Sequence, residues 1–336
     1  MFTMSAKALR DLNTFPGSEK KTEGSSKGCF MKPFTENETE NIDKWQKCIP
    51  TSVTCNASTA EVEIGNTGLE AAGSEIEYIE SENLNDLQDV DTNLNTLLSR
   101  LDSKDWVSVC EALNHVRQLS IFHKETMVPM LGNVVSLTVK SLKNPRSAVC
   151  KTAIMTSADI FKVYKDGIID SFEPLLMQLL LKSSQDKRFV CEAAEKALTT
   201  MTISISPTLL LPKLQPHLKH RNPRIRAKAS MCVCRSVLAL GSEGIKAYGI
   251  DKLIQVAASQ LSDQLPESRE AARILTLELQ SVYEKSYLPL IQTTESENLK
   301  SESWESFCQA KLSPLSAQAI LRVTASAREE NLILGC

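Results

Sequence analysis

Basic side chains recur at the polar breaks that divide the chain into helical segments, and their chemistry is the recognition of negative charge. A single basic turn indicates only a solvated loop. For four such turns in register, a surface that steers and orients an anionic partner becomes an equal alternative to a solvated face. A tryptophan beside the first turn adds a ring of the kind that anchors interfaces, although most Trp rings are largely buried. The candidate partner-binding residues are Lys104, Trp106, Lys143, Arg146, Lys187, Arg188, Lys219, Arg221 and Arg224.

Catalytic and metal-binding patterns are missing from the sequence. The chain has no Gly-Lys-Ser/Thr phosphate loop and no Gly-rich loop placed between a strand and a helix. With four His in the whole chain and no Cys-x-x-Cys pair, a zinc site has little support. We therefore predict a binding protein that is not an enzyme and needs no cofactor or metal.

An internal repeat positions the basic turns. Five related segments, VCEAL, VCKTA, VCEAA, IRAKA and SREAA, begin at residues 109, 149, 190, 225 and 268, so their starts lie 40, 41, 35 and 43 residues apart. A period near forty with two helical segments in each period is typical of solenoids, in which each helical hairpin buries its apolar face against its neighbours. We predict an all-α fold, an α-α superhelix of about five HEAT- or ARM-type hairpins.

Proline-based signals mark where several of these helices begin. Asn144–Pro145 and Asn222–Pro223 combine a side-chain cap with a fixed φ that suits a first helical position, and Ser206–Pro207 offers a hydroxyl for the same purpose. Pro212 and Pro216 are expected to bend or break the first helix of the fourth hairpin. The predicted hairpin segments are 84–101 with 106–119, 124–142 with 145–164, 168–182 with 186–203, 207–218 with 223–240, and 243–261 with 266–285.

The chain has ten cysteines, and three of them follow the repeat. Cys110, Cys150 and Cys191 occupy one repeat position, which Arg226 and Arg269 fill in the later copies. Residues about 40 apart that all face a helix stack are expected to be small core residues, since a buried free Cys behaves as a small hydrophobe. We therefore predict a structural role for these thiols.

Charge and composition divide the chain into three regions. Residues 101–285 carry 25 Lys and Arg against 18 Asp and Glu, a net +7, and the flanks carry 13 against 23, a net −10. We expect an acidic disordered region over 1–82, the solenoid over 83–285, and a polar linker with a short helical tail over 286–336. The tail segments 304–312 and 315–323 are expected to cap the solenoid, with a partner-binding tail as the rival interpretation.

No stretch approaches the roughly 20 apolar residues that span a bilayer, and the first residues lack the apolar centre of a secretion signal. The sequence therefore predicts an intracellular protein without a membrane partner.

The first and fourth turns carry a family resemblance. Ser103-Lys104-Asp105-Trp106, leading into the first VCEAL segment and followed later by Asn222-Pro223-Arg224-Ile225-Arg226, resembles the TOG domain of tubulin-binding proteins over about residues 84–285. The similarity is to the CLIP-associating (CLASP) branch and to single-domain plant TOG-like proteins of ARM-repeat type. In that family the turns within the repeats form the tubulin-binding edge, with the first-turn Trp and later Lys or Arg as contacts. The acidic fifth turn departs from this pattern, and a sixth repeat is missing or degenerate within 304–324.

Two classes of function follow. The resemblance implies a non-catalytic protein of the cytoplasmic cytoskeleton that binds tubulin or microtubules, and other cytoskeletal proteins, to regulate microtubule organisation or dynamics. The alternative is a general helical-repeat scaffold that binds peptides or other proteins on its concave face. Added salt and loss of the turn charges would weaken the first kind of binding more than the second. Nucleic acid ranks last, because the turns offer almost no aromatic side chains for base stacking.

Overall fold

A computed structural model of the protein describes residues 78–291 and 303–334, with side-chain detail for 78–286 and 303–327. Every regular element within those ranges is helical, so the predicted all-α class is confirmed. Residues 1–77, which make up most of the region predicted to be disordered, lie outside the described residues.

Five helical hairpins follow one another along the chain, in the order that the forty-residue period predicts. The α-helices are α1 (Val90–Leu101), α2 (Trp106–Phe122), α3 (Lys124–Met127), α4 (Leu131–Leu142), α5 (Ser147–Tyr164), α6 (Phe172–Lys182), α7 (Arg188–Ser204), α8 (Pro207–Leu214), α9 (Pro223–Tyr248), α10 (Ile250–Leu261), α11 (Pro266–Ile291), α12 (Trp304–Lys311) and α13 (Pro314–Leu334). Short 3-10 helices cover Ser81–Asn83, Val128–Met130, Lys165–Ile168 and Gln215–Lys219. The hairpins pair α1 with α2, α4 with α5, α6 with α7, α8 with α9, and α10 with α11.

The second helices of the hairpins form a continuous stack. α2 packs against α5, α5 against α7, α7 against α9, and α9 against α11. The residue that opens each repeat segment is buried in this stack, from Val109 in the first hairpin to Ser268 in the last. The fifth residue of each segment is buried as well, from Leu113 to Ala272. Because burial of this kind removes apolar surface from water only when a neighbouring hairpin is present, each hairpin depends on the next one for its core.

The repeated cysteine position links each second helix to the turn before it. Cys110 and Cys150 are buried, as predicted, whereas Cys191 is only half-buried. The Cys191 thiol donates to the carbonyl oxygen of Ser183 at 3.0 Å, at the end of the preceding helix. Arg226, at the same repeat position, donates to the carbonyl oxygen of His220 at 2.9 Å. The shared role of Cys and Arg here is to satisfy a carbonyl that the end of a helix leaves without a partner.

The predicted helix starts are correct in one case and need correction in two. The Asn222 side chain accepts from the amide of Arg224 at 3.0 Å, and Pro223 begins α9. Asn144 makes the same kind of bond two residues on, but α5 begins at Ser147, so Pro145 precedes that helix. The Ser206 hydroxyl does not cap α8.

Ser206 binds the previous hairpin instead of its own helix. Its hydroxyl donates to one oxygen of Asp166, and its amide donates to the other at 2.7 Å. A hydrogen bond from the hydroxyl to a carboxylate is charge-assisted, and it orients the Ser206 side chain toward Asp166 and away from the first amides of α8. Both hydrogen bonds lower the pKa of the Asp166 carboxyl.

The fourth and fifth hairpins join through two breaks in the backbone, and the sequence predicts the position of the first. Pro212 and Pro216 end α8 and convert the following residues to a 3-10 helix, as expected. The predicted separation between a segment that ends at 240 and one that begins at 243 agrees with the non-helical backbone at Gly241, where α9 is kinked. The predicted continuous helix over 243–261 is wrong, since it is interrupted at Gly249 and α10 begins only after that residue. These glycines have φ values of 65° and 107°, which side chains with a Cβ rarely adopt.

The tail folds into two helices that pack on the last hairpin. α13 packs against α10 and α11, and α12 packs against α13. Trp304 and Phe307 of α12 lie beside Tyr283 of α11, with ring centroids 5.4 and 4.6 Å from the Tyr283 ring. This packing supports the capping interpretation of the tail, which stays a prediction.

Candidate partner-binding edge

The turns inside the five hairpins lie next to one another in chain order, and contacts between consecutive turns establish this. The guanidinium of Arg146 in the second turn lies 5.1 Å from the centroid of the Trp106 ring beside the first. Lys187 in the third turn donates to the hydroxyl of Ser147 at 3.0 Å. We call the row of turns at 102–105, 143–146, 183–187, 219–222 and 262–265 the turn edge.

The later turns continue the row. Arg224 beside the fourth turn pairs with Asp186 of the third at 2.6 Å. Arg226 pairs with Asp263 of the fifth turn, also at 2.6 Å. Each of these contacts joins residues nearly one repeat apart in sequence, so equivalent positions of neighbouring hairpins meet in space. These contacts place Trp106, Arg146, Lys187 and Arg224 along one edge, and the other five predicted site residues lie in, or directly beside, the same turns.

Trp106 combines the two fates considered for it from the sequence. The ring is half-buried and packs against the core, and its remaining surface lies at the edge under Arg146. The position is fixed because the Asp105 carboxylate accepts from the amides of Val107 and Ser108 and so caps the start of α2. A ring held by a capped helix loses little side-chain entropy when it meets a partner.

The predicted cations fall into two groups. Arg146, Lys187 and Arg224 contact the preceding turn, and Arg188 pairs with Glu192 of its own helix at 2.7 Å. The other four side chains are exposed and make no ion pair or side-chain hydrogen bond with any described residue. These free cations are Lys104, Lys143, Lys219 and Arg221. They leave unpaired positive charge on the first, second and fourth turns, and at the third turn the exposed Lys187, which contacts only a serine hydroxyl, and the 91% exposed Arg188 remain accessible to a partner.

A further segment, residues 78–87, lies along α2 and α5, and we call it the N-terminal strap. The Tyr78 ring lies under the ammonium of Lys151, 3.8 Å from it, near the start of α5. Asp86 pairs with Nε2 of His123, just beyond the end of α2, at 2.6 Å. The strap therefore runs the length of the two helices, and Leu84 in its middle is buried.

A buried ion pair holds the centre of the strap. Arg117 of α2 and Asp159 of α5 are paired at 2.6 Å, with side chains only 1% and 4% exposed. The Ser81 hydroxyl donates to the second oxygen of Asp159 at 2.6 Å and accepts from Arg117 at 3.3 Å. The strap thus completes the hydrogen bonding of a pair that would otherwise lie at the surface of the stack.

Comparison with known proteins shows which proteins this chain is similar to. No family model matches the chain. A TOG array regulator of axonemal microtubules from Mus musculus is 28% identical over 203 residues, which is 59% of this chain and 11% of the relative. TORTIFOLIA1-like protein 4 from Arabidopsis thaliana is 26% identical over 202 residues, 57% of this chain and 32% of the relative. The chain thus spans a third or less of the length of these relatives.

A solved structure resembles this chain in its backbone fold. The structure described as a crescerin TOG domain array that regulates microtubules in the primary cilium superposes with a TM-score of 0.50. It covers 69% of this chain and 88% of its own chain at 17% identity. The chain has a TOG-type fold. The resemblance inferred from the first and fourth turns is therefore confirmed at the level of the fold.

Within this TOG-type fold, the acidic fifth turn has a structural explanation. Asp263 is nearly buried, pairs with Arg226, and accepts from the amide of Leu265 at 3.2 Å. The negative charge of Asp263 is therefore paired with Arg226 within the solenoid. The fifth turn offers a partner neither a free basic side chain nor an unpaired Asp263.

Phe189 is an edge residue that the sequence analysis missed. It follows the third turn and is 44% exposed beside Arg188. The available signal was its place one residue before Val190, off the apolar stripe that faces the stack. An exposed aromatic side chain next to cations adds apolar contact area to the turn edge.

Two observations bear on other kinds of function. Among residues 78–291 and 303–334, no three His, Cys, Asp or Glu side chains come together in a way that would hold a metal ion. Over the same part of the chain, no helix has the length and apolar character needed to cross a membrane.

Proposed function

We propose that this protein binds tubulin or microtubules through the turn edge and regulates microtubule organisation or dynamics without catalysing a reaction. The observation that carries the proposal is the alignment of four basic turns with the Trp106–Arg146 stack at one end. The names of the relatives support it, because the mouse relative is a TOG array regulator of axonemal microtubules. We place the protein accordingly with the microtubule cytoskeleton of the cytoplasm.

The physical mechanism is multivalent charge recognition around an aromatic anchor. Each exposed cation contributes at most about 1 kcal/mol alone, so several must be paired at once to orient a partner. An acidic protein surface with carboxylates at the spacing of the turns meets this requirement. Binding of this kind is fast at low salt and weakens as the ionic strength rises. Tubulin or microtubules, and other acidic cytoskeletal proteins, are the proposed partners.

The alternative scaffold function uses the face formed by the second helices. Over the first two hairpins that face is occupied, because the N-terminal strap lies along α2 and α5. A peptide would have to displace the Ser81–Asp159 contact to bind there. The turn edge carries no such cover within the described residues, so it is the favoured binding surface.

Co-sedimentation with microtubules and gel filtration with unpolymerised tubulin, both with the full chain, test the proposal. The test variant reverses Lys187 and Arg188 to Glu, and the matched control reverses Lys124 and Lys196, two exposed lysines away from the turn edge. We expect the edge variant to lose binding by tenfold or more, on the order of two lost attractions and two added repulsions. The control variant should bind within about twofold of the wild type.

Circular dichroism melting of both variants establishes that the folds are intact. If both folded variants bind tubulin as the wild type does, or if both lose binding equally, the turn edge is not the tubulin site. Binding that resists added salt would point instead to the face of the second helices.

A further inference from the structure

A groove with a volume of about 910 Å³ lies where the fourth hairpin meets the fifth. One wall is formed by the end of α8 and the 3-10 helix after it, and the other by α10, with the end of α9 between them. The two prolines that end α8 and the left-handed backbone at Gly249 separate these walls, because neither side can continue as a regular helix. The groove is therefore built by the backbone, and its size is that of a ligand pocket.

The side chains that line the groove are basic, polar or apolar, and none is acidic. Lys219 and Lys252 stand on opposite walls, and both are exposed and unpaired among the described residues. Gln255 and the phenol of Tyr248 supply hydrogen-bonding groups, and Gln215 donates weakly to that phenol at 3.5 Å. Prolines and Val256 form apolar surface between them. Two cations, amide groups and an apolar floor suit an extended peptide whose side chains are carboxylates.

The groove adjoins the turn edge at the fourth turn and adds a second unpaired cation there. Lys219 belongs both to the turn edge and to the groove, whereas the fifth turn has its acidic Asp263 paired with Arg226. The next unpaired cation that lines the groove after Lys219 is thus Lys252, which lies on α10, the first helix of the fifth hairpin. We propose that this groove binds an extended acidic peptide from a partner protein, as a second site beyond the turn edge.

Fluorescence polarisation with a fluorescein-labelled deca-glutamate peptide and the full chain tests this site. Lys252 is the residue to change, since it lines the groove and lies outside the turn edge. We expect Lys252→Glu to weaken peptide binding about fivefold to tenfold, the loss of one attraction and the gain of one repulsion, and Lys252→Gln to weaken it by less. The matched control is Lys196→Glu, an exposed lysine on α7 with the same change in net charge.

The control should change the affinity by less than about twofold, because it acts only through screened long-range charge. A Gln/Ser peptide of the same length should not bind, since it lacks carboxylates. The groove assignment is overturned if Lys252→Glu and Lys196→Glu weaken binding equally, or if deca-glutamate fails to bind at about 1 mM, the affinity of a contact worth about 4 kcal/mol.

The double reversal of Lys187 and Arg188 separates the groove from the turn edge. If this edge variant lowers deca-glutamate binding and Lys252→Glu does not, the peptide binds at the edge and the groove proposal fails. If Lys252→Glu lowers peptide binding while the edge variant alone loses tubulin, both sites stand. If neither variant loses tubulin binding while peptide binding stays sensitive to Lys252→Glu, the groove stands and the turn edge is not the tubulin site.

Discussion

Replacing Trp106 with alanine separates the two roles that the structure gives to this ring. A fully buried Trp costs about 3–5 kcal/mol when truncated, so the half-buried Trp106 should cost about 2 kcal/mol. The stack with Arg146 adds about 0.5–1 kcal/mol. Trp106→Ala should therefore lower the free energy of unfolding by about 2–3 kcal/mol and the melting temperature by about 4–10 °C.

Urea unfolding followed by far-UV circular dichroism measures the stability of Trp106→Ala, Arg146→Ala and the double variant. The double-mutant cycle should give a coupling energy of about 0.5–1 kcal/mol for the ring and the guanidinium. Tubulin binding is then measured at a temperature where every variant is folded. If the exposed part of the ring is an anchor, Trp106→Ala should raise the dissociation constant about tenfold or more, mainly through a faster off-rate.

Trp304→Ala is the matched control, because it removes the same side chain from the tail cluster, where the ring is 5% exposed. It should lower stability while leaving tubulin affinity unchanged. Equal loss of affinity in both Trp variants would show that binding follows stability alone. Unchanged affinity in a folded Trp106→Ala would refute the anchor.

Three further predictions concern the stability of the fold. Asp159→Asn should lower the free energy of unfolding by about 3–5 kcal/mol, because it leaves Arg117 buried without a counter-charge. A loss below about 1 kcal/mol, measured by urea unfolding, would mean that water reaches the pair. Lys165 has a φ of 49°, which strains a residue that carries a Cβ. Lys165→Gly should therefore raise the melting temperature by about 2–4 °C, because the relief of strain exceeds the conformational entropy that Gly loses on folding. A lower melting temperature would show that the backbone there is unstrained. Burial raises the pKa of Cys232 to about 11 and of Cys234 to about 12. Unfolded thiols ionise from about pH 8.5, so stability should fall as the pH rises from there toward 11, and a Cys232→Ala/Cys234→Ala variant should show a flatter dependence in urea titrations at each pH.

The register of the hairpins is predictable from the sequence because it depends on local burial. The residues that open and close each repeat segment face the stack in every hairpin, from Val109 and Leu113 to Ser268 and Ala272. A pattern that returns about every forty residues carries this information without any knowledge of distant contacts. The turn edge follows from the same register, since equivalent turns of stacked hairpins must lie side by side.

The partners of the edge charges are not predictable in this way. Whether a cation is free or paired depends on a residue about one repeat away, as for Arg224 with Asp186. The same reason defeats the predicted Ser206 cap, because Asp166 lies 40 residues earlier and takes the hydroxyl. The break at Gly249 is also missed, because the predicted segment 243–261 runs through it and only the structure shows the left-handed backbone there.

The N-terminal strap is the feature least visible in the sequence. Arg117 stands at the repeat position that holds Ser157, Leu198 and Val233 in the next three hairpins, so no periodicity marks it. Its partner Asp159 lies 42 residues away, and Ser81, which bonds to both, falls in the region 1–82 predicted to be disordered. The structural role of a buried charge pair can be recognised only when the positions of all its hydrogen-bonding partners are known.

The strap also sets an order of events during synthesis. Ser81 leaves the ribosome 78 residues before Asp159, so its hydrogen-bonding partner does not yet exist when the strap is made. At about 5–20 residues per second, the strap waits several seconds for α5. Its contacts with α5 can therefore form only after the second hairpin is made, and they complete the interface between the first two hairpins.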